Sequence, residues 1–279
     1  MSGARTTCRI SLPVNLIAEL GQNPFSEIMQ MQGKIFRDVR GRKTIQVALD
    51  GKSYFIKQHF GVGWGEIFKS YLSFKKPVLG AMTEVEAIKK LDEIGIPTTP
   101  LVGYGVQGGN PAKQQSFIVT QDLGDITSLE DVCADWQSNP PDAQFKQLVI
   151  IKMAQLATKL HRAGLCHRDF YLCHLALKKA ELAKGEVNLI LIDLHRMLLN
   201  QPSDGGAVIK DIAGLIFSTK DCGFMQDDWL LFQQHYLPQT TDFWRKANIR
   251  ADQLYAKYHS KKFQQRLSIE RSKLHKKNS

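Results

Sequence analysis

From Gly33 to Lys57 polar and apolar residues alternate with a period of two, the spacing of half-buried strands. Lys34-Ile35-Phe36 begins one extended run. Lys43 to Leu49 then places Ile45, Val47 and Leu49 on one face. Asp50-Gly51 follows, a strong signal for a two-residue hairpin, and Ser53-Tyr54-Phe55-Ile56-Lys57 reads as the returning strand. The pattern predicts a meander of about three strands. Residues 1–30, ahead of it, read as a helical or loose leader.

Past the meander the period lengthens. Trp64 to Lys76 reads as a helix with Trp64, Ile67, Phe68, Tyr71, Leu72 and Phe74 to one side. A second helix is predicted from Thr83 to Ile94. Thr83 and Glu86 have the spacing of a capping box, Gly95 is the stop, and Pro97 lies just beyond. Phe117-Ile118-Val119-Thr120 is a short strand broken by Gln121-Asp122-Leu123-Gly124. Phe145, Leu148, Val149, Met153, Leu156 and Leu160 recur at helical spacing up to Gly164. Val187 to Ile192 reads as an apolar strand ending at Asp193. A strand-rich front and a helical back predict an α+β chain of two lobes. The divisions are a leader (1–30), an N-lobe (31–122), a C-lobe (123–250) and a basic tail (251–279).

Charge narrows the partners. The chain has 279 residues, 37 Lys and Arg against 27 Asp and Glu, and a formal net charge of +10. A surface that basic favours nucleotide phosphates, anionic lipid or nucleic acid. No recognition motif with interleaved basic and aromatic residues is present, so nucleic acid is not the expected partner. No apolar stretch is long enough to span a bilayer, and Pro13, Asn15 and Glu19 interrupt any signal-peptide core. The reading is a cytoplasmic protein. Five cysteines without a C-x-x-C pair fit reduced thiols.

The chemistry concentrates in Cys166-His167-Arg168-Asp169-Phe170-Tyr171-Leu172-Cys173-His174. Protein kinases carry H-R-D after a long helix and an aspartate at a strand end soon afterwards. Here Asp193 lies 24 residues beyond Asp169. Lys57 closes a small-lobe strand, Glu84 or Glu86 on the next helix offers it an acid, and Gln121-Asp122-Leu123 falls where a kinase hinge would be. The order of these elements predicts a protein-kinase-like fold. Phosphoryl transfer needs positioning and charge neutralisation more than covalent chemistry. Lys57 would hold the α- and β-phosphates of ATP, the paired glutamate would fix the ammonium, and Asp193 would bind Mg²⁺ through carboxylate oxygen. Asp169 would accept the proton of the attacking hydroxyl or orient it. Gln121 and Leu123 would meet the base.

Two departures stand out. His174 occupies the position where kinases place an asparagine metal ligand, and imidazole is a poor donor to Mg²⁺. The phosphate-covering loop lacks G-x-G-x-x-G; Val39-Arg40-Gly41-Arg42-Lys43 supplies three cations instead. The Cys166, His167, Cys173 and His174 spacing does not suit structural zinc. Asp211 offers itself either as an anchor for the loop backbone or as a plain helix cap.

The sequence resembles the lipopolysaccharide core heptose(I) kinases of Gram-negative bacteria. The residues that carry the likeness are Gly51 to Lys57, Pro77-Val78-Leu79-Gly80-Ala81 with Glu84, and Ser128-Leu129-Glu130-Asp131 with Cys133-Ala134-Asp135-Trp136. His167-Arg168-Asp169 with Tyr171 and Cys173-His174, and Ile192-Asp193-Leu194-His195-Arg196, complete it. The resemblance covers about residues 30 to 235. It selects Glu84 over Glu86, makes Asp169 the catalytic residue and treats His174 as a family trait. It implies ATP and Mg²⁺ as cofactors and the first heptose of lipid A–core lipopolysaccharide as acceptor. It further implies a peripheral place on the cytoplasmic face of the inner membrane and association with acyl carrier protein. Two other readings stand beside it. One is a kinase of the same fold with another acceptor. The other is a catalytically silent module that binds lipid or a partner, against which intact Lys57, Asp169 and Asp193 argue.

Overall fold

The computed structural model describes residues 8–39, 41–61, 63, 80–110 and 112–278. The helix expected over Trp64–Lys76 lies outside the described residues. The chain divides into two compact units. One holds the described residues up to Ile126 together with Lys178–Ala180 and Ile190–Met197; the other holds Thr127–Leu177, Glu181–Leu189 and the residues from Leu198 onward. The first is rich in strands and the second is mainly helical, the α+β division that the pattern predicts.

In the first unit β1 (Cys8–Ser11), β2 (Lys34–Val39), β3 (Arg42–Leu49), β4 (Lys52–His59), β5 (Leu101–Gln107) and β6 (Gln115–Gln121) form one antiparallel sheet in the order β1-β5-β6-β4-β3-β2. The β3–β4 hairpin turns through Asp50 (φ 47°) and Gly51 (φ 69°). Both central residues are left-handed, as a type I′ turn requires, and glycine adopts that conformation without penalty. Alternation then sorts the strands. Ile45, Tyr54, Ile56, Phe117 and Val119 are buried on one face. Leu16 and Leu20 of α1 (Val14–Leu20) and Phe25, Ile28 and Met29 of α2 (Pro24–Gln30) complete that core. Residues 8–30 are therefore part of the sheet and its cover. Thr44, Phe55, Lys57 and Thr120 point to the opposite face.

Helix α3 (Met82–Glu93) begins two residues earlier than a Thr83 cap predicts. Its N-cap is Ala81, which makes no side-chain cap bond, and its third residue is Glu84. In a capping box the third residue folds back onto the N-cap amide. Here Ser116 Oγ of β6 accepts that N–H at 3.0 Å, and Glu84 is left to point elsewhere. The other end closes as expected: Ile96 N–H reaches Leu91 O at 2.9 Å and Gly95 N–H reaches Asp92 O at 3.1 Å, the paired bonds of a Schellman stop.

Among the described residues the second unit is built on α4 (Leu129–Cys133), α5 (Ala143–Arg162), a single 3₁₀ turn (Leu172–His174), α7 (Gly206–Thr219), α8 (Gln226–His235), α9 (Thr241–Tyr258) and α10 (Lys261–Asn278). The short elements β7 (Ile126–Ser128), β8 (Leu175–Lys178), α6 (Lys179–Leu182) and β9 (Ile190–Leu191) lie near the divisions in sequence. Helix α5 opens on Asp142, whose carboxylate accepts from Gln144 and Phe145 N–H at 2.9 and 3.1 Å. It ends with Lys159 and Arg162 in its last turn, cations suited to the negative end of the helix dipole. Ala247 and Ala251 of α9 are buried, and Phe217 of α7 meets Tyr255 and Tyr258 edge-on. The first third of the predicted basic tail is thus part of a packed helix.

The strand predicted over Val187–Ile192 shrinks to β9. Leu191 gives its N–H to Pro97 O (2.8 Å) and its carbonyl to Thr98 Oγ1 (2.6 Å), an isolated parallel bridge beside the β7-β8-β9 order in which this short strand takes part. Val187 and Leu189 are apolar because they are buried, and burial alone does not make a strand.

Candidate active site

Alternation along β4 puts Lys57 on the free face of the sheet, and the start of α3 brings an acid to it. Lys57 Nζ and Glu84 Oε1 lie 2.6 Å apart, with the Glu84 side chain only 3% exposed. A carboxylate that dry needs a cation, and the lysine is its partner. The pair opens on a cleft of about 380 Å³ lined by Phe36, Phe55, Lys57, Gln121, Leu123 and Asp193 among others, a volume suited to a small ligand. Every lining residue belongs to the first unit.

Three devices shape this cleft. Phe36 packs edge-on against Phe55, centroids 4.9 Å apart, to form an apolar wall. The turn after β6 is braced by Asp122, whose carboxylate accepts from Gln46 (2.6 Å), Ser53 (2.7 Å) and Gly124 N–H (2.9 Å). Partial burial raises the Asp122 pKa, but the three donors outweigh it and hold the group below its ordinary value. The bonds of Leu191 to Pro97 and Thr98 carry Asp193 to the rim. Asp193 is left-handed (φ 62°), an uncommon state for a residue with a Cβ. Its Oδ1 is 2.6 Å from His195 Nδ1. A carboxylate can only accept, so that nitrogen carries the proton.

Beyond Lys57 the same face continues with His59 and Arg42, which pair across β4 and β3. Burial pushes the His59 pKa down to about 4, with further contributions from Arg42, Lys57 and His195. Burial and Arg37 likewise lower the Arg42 pKa, while Asp193 and Glu84 act against that shift.

In the second unit the loop after α5 is held by a buried carboxylate. Asp211 on α7, fully buried, accepts the N–H of His167 (2.6 Å) and of Arg168 (2.8 Å). Its place inside α7 excludes a cap and makes it the anchor of the loop backbone. Behind it, His161 Nε2 is 3.4 Å from Asp211 and His161 Nδ1 is 2.7 Å from Tyr236 Oη. Since the carboxylate only accepts, Nε2–H donates to it and Nδ1 accepts from Tyr236. Burial, reinforced by Asp211, raises the tyrosine pKa and keeps that hydroxyl protonated. Arg168 is left-handed (φ 75°), and the loop turns there. His174 Nδ1 is 2.6 Å from the carbonyl of Asp169, which can only accept. Gly214 of α7 lies close beneath; a Cβ there would meet Phe170 O at 3.0 Å.

His161, Cys166 and Asp211 place possible ligand atoms within 4.8 Å of one another. Burial first, and Asp211 second, push the Cys166 thiol up to about 12, so it stays protonated. Asp211 is already engaged by the loop amides. This is an anchor and not a metal centre.

Of the predicted residues, Lys57, Gln121, Leu123 and Asp193 share one cleft with Glu84 paired to its lysine, and Asp169 and His174 share one loop in the second unit. Arg42 is one of the three cations that the sequence offers in place of a glycine-rich loop, whereas His59 was not singled out. The alternation that places Lys57 also places His59, the one signal available for it. The 76-residue separation of Gln46 and Asp122 hides that brace from local pattern.

A β-rich unit with a lysine–glutamate pair on its sheet, followed by a helical unit with an anchored H-R-D loop, defines the kinase class of fold. The sequence model described as the lipopolysaccharide kinase (Kdo/WaaP) family matches residues 26–236. The chain belongs to that family. It is 40% identical over 217 residues to a Pseudomonas aeruginosa protein named lipopolysaccharide core heptose(I) kinase WaaP, covering 77% of this chain and 81% of that one. The protein of the same name from Escherichia coli K12 is also 40% identical over 217 residues, covering 77% and 82%. A solved structure titled WaaP in complex with acyl carrier protein superimposes with a TM-score of 0.75 at 31% identity, covering 88% of this chain and 99% of that one. The protein is a kinase, an ATP-using phosphotransferase.

Proposed function

We propose that this kinase transfers the γ-phosphoryl group of ATP to a hydroxyl of the first heptose of the lipopolysaccharide inner core. The observation that carries the reading is the 2.6 Å Lys57–Glu84 pair on the cleft that also holds Asp193, in a chain 40% identical to two proteins named for that reaction. Phe36 and Phe55 offer the base an apolar wall. Gln121 already gives its N–H to Pro100 O at 2.9 Å, so the backbone around Leu123 meets the base edge. Lys57 presents a point cation to the α- and β-phosphates, held in place by Glu84. Asp169 takes the proton of the sugar hydroxyl as the phosphoryl group leaves ADP. His174, by donating to the Asp169 carbonyl, keeps the loop in one conformation.

Mg²⁺ suits the donor set at Asp193, a hard carboxylate oriented by His195; imidazole at His174 suits it less well. When bound there, the ion would neutralise charge on the transferred phosphate. The acceptor carries sugar carboxylates and lipid phosphates, and a net charge of +10 draws the enzyme to it and to an anionic cytoplasmic membrane face. We extend the acyl carrier protein of the structural relative to this chain as a partner.

The test incubates the protein with ATP, Mg²⁺ and inner-core lipopolysaccharide lacking heptose phosphate, and reads the product by mass spectrometry. A gain of one phosphate on the first heptose, absent with Asp169→Ala, is expected. Unchanged acceptor in the presence of bound nucleotide rejects the acceptor. Turnover by the folded Asp169→Ala variant rejects the assigned base.

A further inference from the structure

We propose that Arg42 forms a subsite for the terminal phosphate of the nucleotide, a second cation beyond the reach of Lys57. The inference rests on the ATP-kinase reading above and adds to it a residue that selects triphosphate over diphosphate.

Position comes first. β4 runs away from the base end of the cleft, where Tyr54 pairs with Gln121. Lys57 pairs with Thr44, and two residues further on His59 pairs with Arg42. Residues two apart share a face, so Arg42 extends the row begun by Phe55 and Lys57. Two residues of strand rise roughly 7 Å. If Lys57 serves the α- and β-phosphates, that step leads to the γ-phosphate.

The local field agrees. The charge on Arg42 is favoured by Asp193 and by Glu84, the two carboxylates that frame the Lys57 end of the cleft. The guanidinium therefore lies in the same field as the proposed metal ligand. Its Nε is buried without a hydrogen-bond partner among the described residues, and the Nε2 of His59, its cross-strand neighbour, is in the same condition. Adjacent buried polar atoms with nothing to bond are rare in a finished core, and they mark where a polar ligand completes the structure.

The backbone supplies the reason. In kinases a glycine-rich loop covers the phosphates. Here the β2–β3 ladder runs on to the Val39–Arg42 pair. Amides committed to a ladder are not offered to a phosphate. A guanidinium supplies several donors in a planar fork that matches phosphate oxygens two at a time, a geometry an ammonium lacks.

The experiment measures the binding of ATP, ADP, AMP and adenosine to the full-length protein, to Arg42→Met and to Arg42→Lys by calorimetry. Arg42→Met is expected to weaken ATP about 10- to 100-fold, the range for a lost charge-assisted hydrogen bond. ADP should weaken only a few-fold and AMP and adenosine not at all, with KM for ATP rising while KM for the acceptor is unmoved. Arg42→Lys keeps the charge and the stem, so it should fold and fall between the two. ATP affinity equal in all three proteins overturns the proposal. So does loss of all four ligands together, which would make Arg42 structural. A wild-type protein that binds no nucleotide sinks the parent reading before any variant is made, whereas a competent wild type matched by both variants sinks the subsite alone.

Discussion

His59 is a histidine the fold keeps neutral. Its folded pKa of about 4 lies below the value of 6.5 for an unperturbed side chain. Below pH 6.5 the unfolded chain takes up a proton that the native protein resists. Stability therefore falls as the pH drops from 6.5 toward 4 and levels off below, by up to about 3 kcal/mol for this group. His59→Gln should flatten that part of the curve of urea stability against pH; an unchanged slope would refute the assignment. Glu84→Gln keeps the shape of its side chain but removes the charge that fixes Lys57. Turnover with ATP should fall on the order of 10- to 100-fold with the fold retained, and wild-type kcat/KM in the variant would show that Lys57 needs no partner. Lys57 and Glu84 were legible because a motif names them by order and spacing. Arg42 showed only as one of three cations in a loop and His59 not at all, because alternation says which residues share a face and not which of them burial leaves without partners.

Element boundaries turned on where each backbone amide finds its acceptor. The Asp50-Gly51 hairpin and the Gly95 stop were readable because their bonds close within six residues. Thr83 misled as a cap because the N-cap amide is met by Ser116, 35 residues away. That substitution releases Glu84 for Lys57. Ser116→Ala should cost about 1 kcal/mol in urea unfolding. It should lower ATP turnover by more than that loss implies, since Glu84 can then fold back onto its own helix start; turnover that merely tracks stability would count against this account. The anchor on α7 makes a second case. Asp211→Asn puts amide hydrogens opposite the His167 or Arg168 N–H, and a loss above about 2 kcal/mol is expected by the same measurement. The leader was underread because its apolar residues are sparse; Leu16 with Leu20 and Phe25 with Ile28 and Met29 are helical faces that need the sheet to show what they cover.

Across the whole molecule the basic excess is a long-range term. Eight Lys and Arg against two acids fall in residues 251–279, and no helix among the described residues is long and apolar enough to cross a membrane. Attachment to anionic vesicles is expected, with release as salt shortens the Debye length from about 10 Å at 0.1 M to about 3 Å at 1 M. Sedimentation with the vesicles that is indifferent to salt would argue for an apolar contact instead. The division of the chain has a further consequence, in time. The first unit borrows Ile190–Met197, including Asp193, from far beyond Ile126. During synthesis at roughly 5–20 residues per second, the sheet is finished several seconds before the ribosome delivers the strip that completes the cleft. A nascent chain stalled near residue 126 would hold a nearly whole sheet with no aspartate at its rim, so the capacity to handle nucleotide arrives late and nearly all at once.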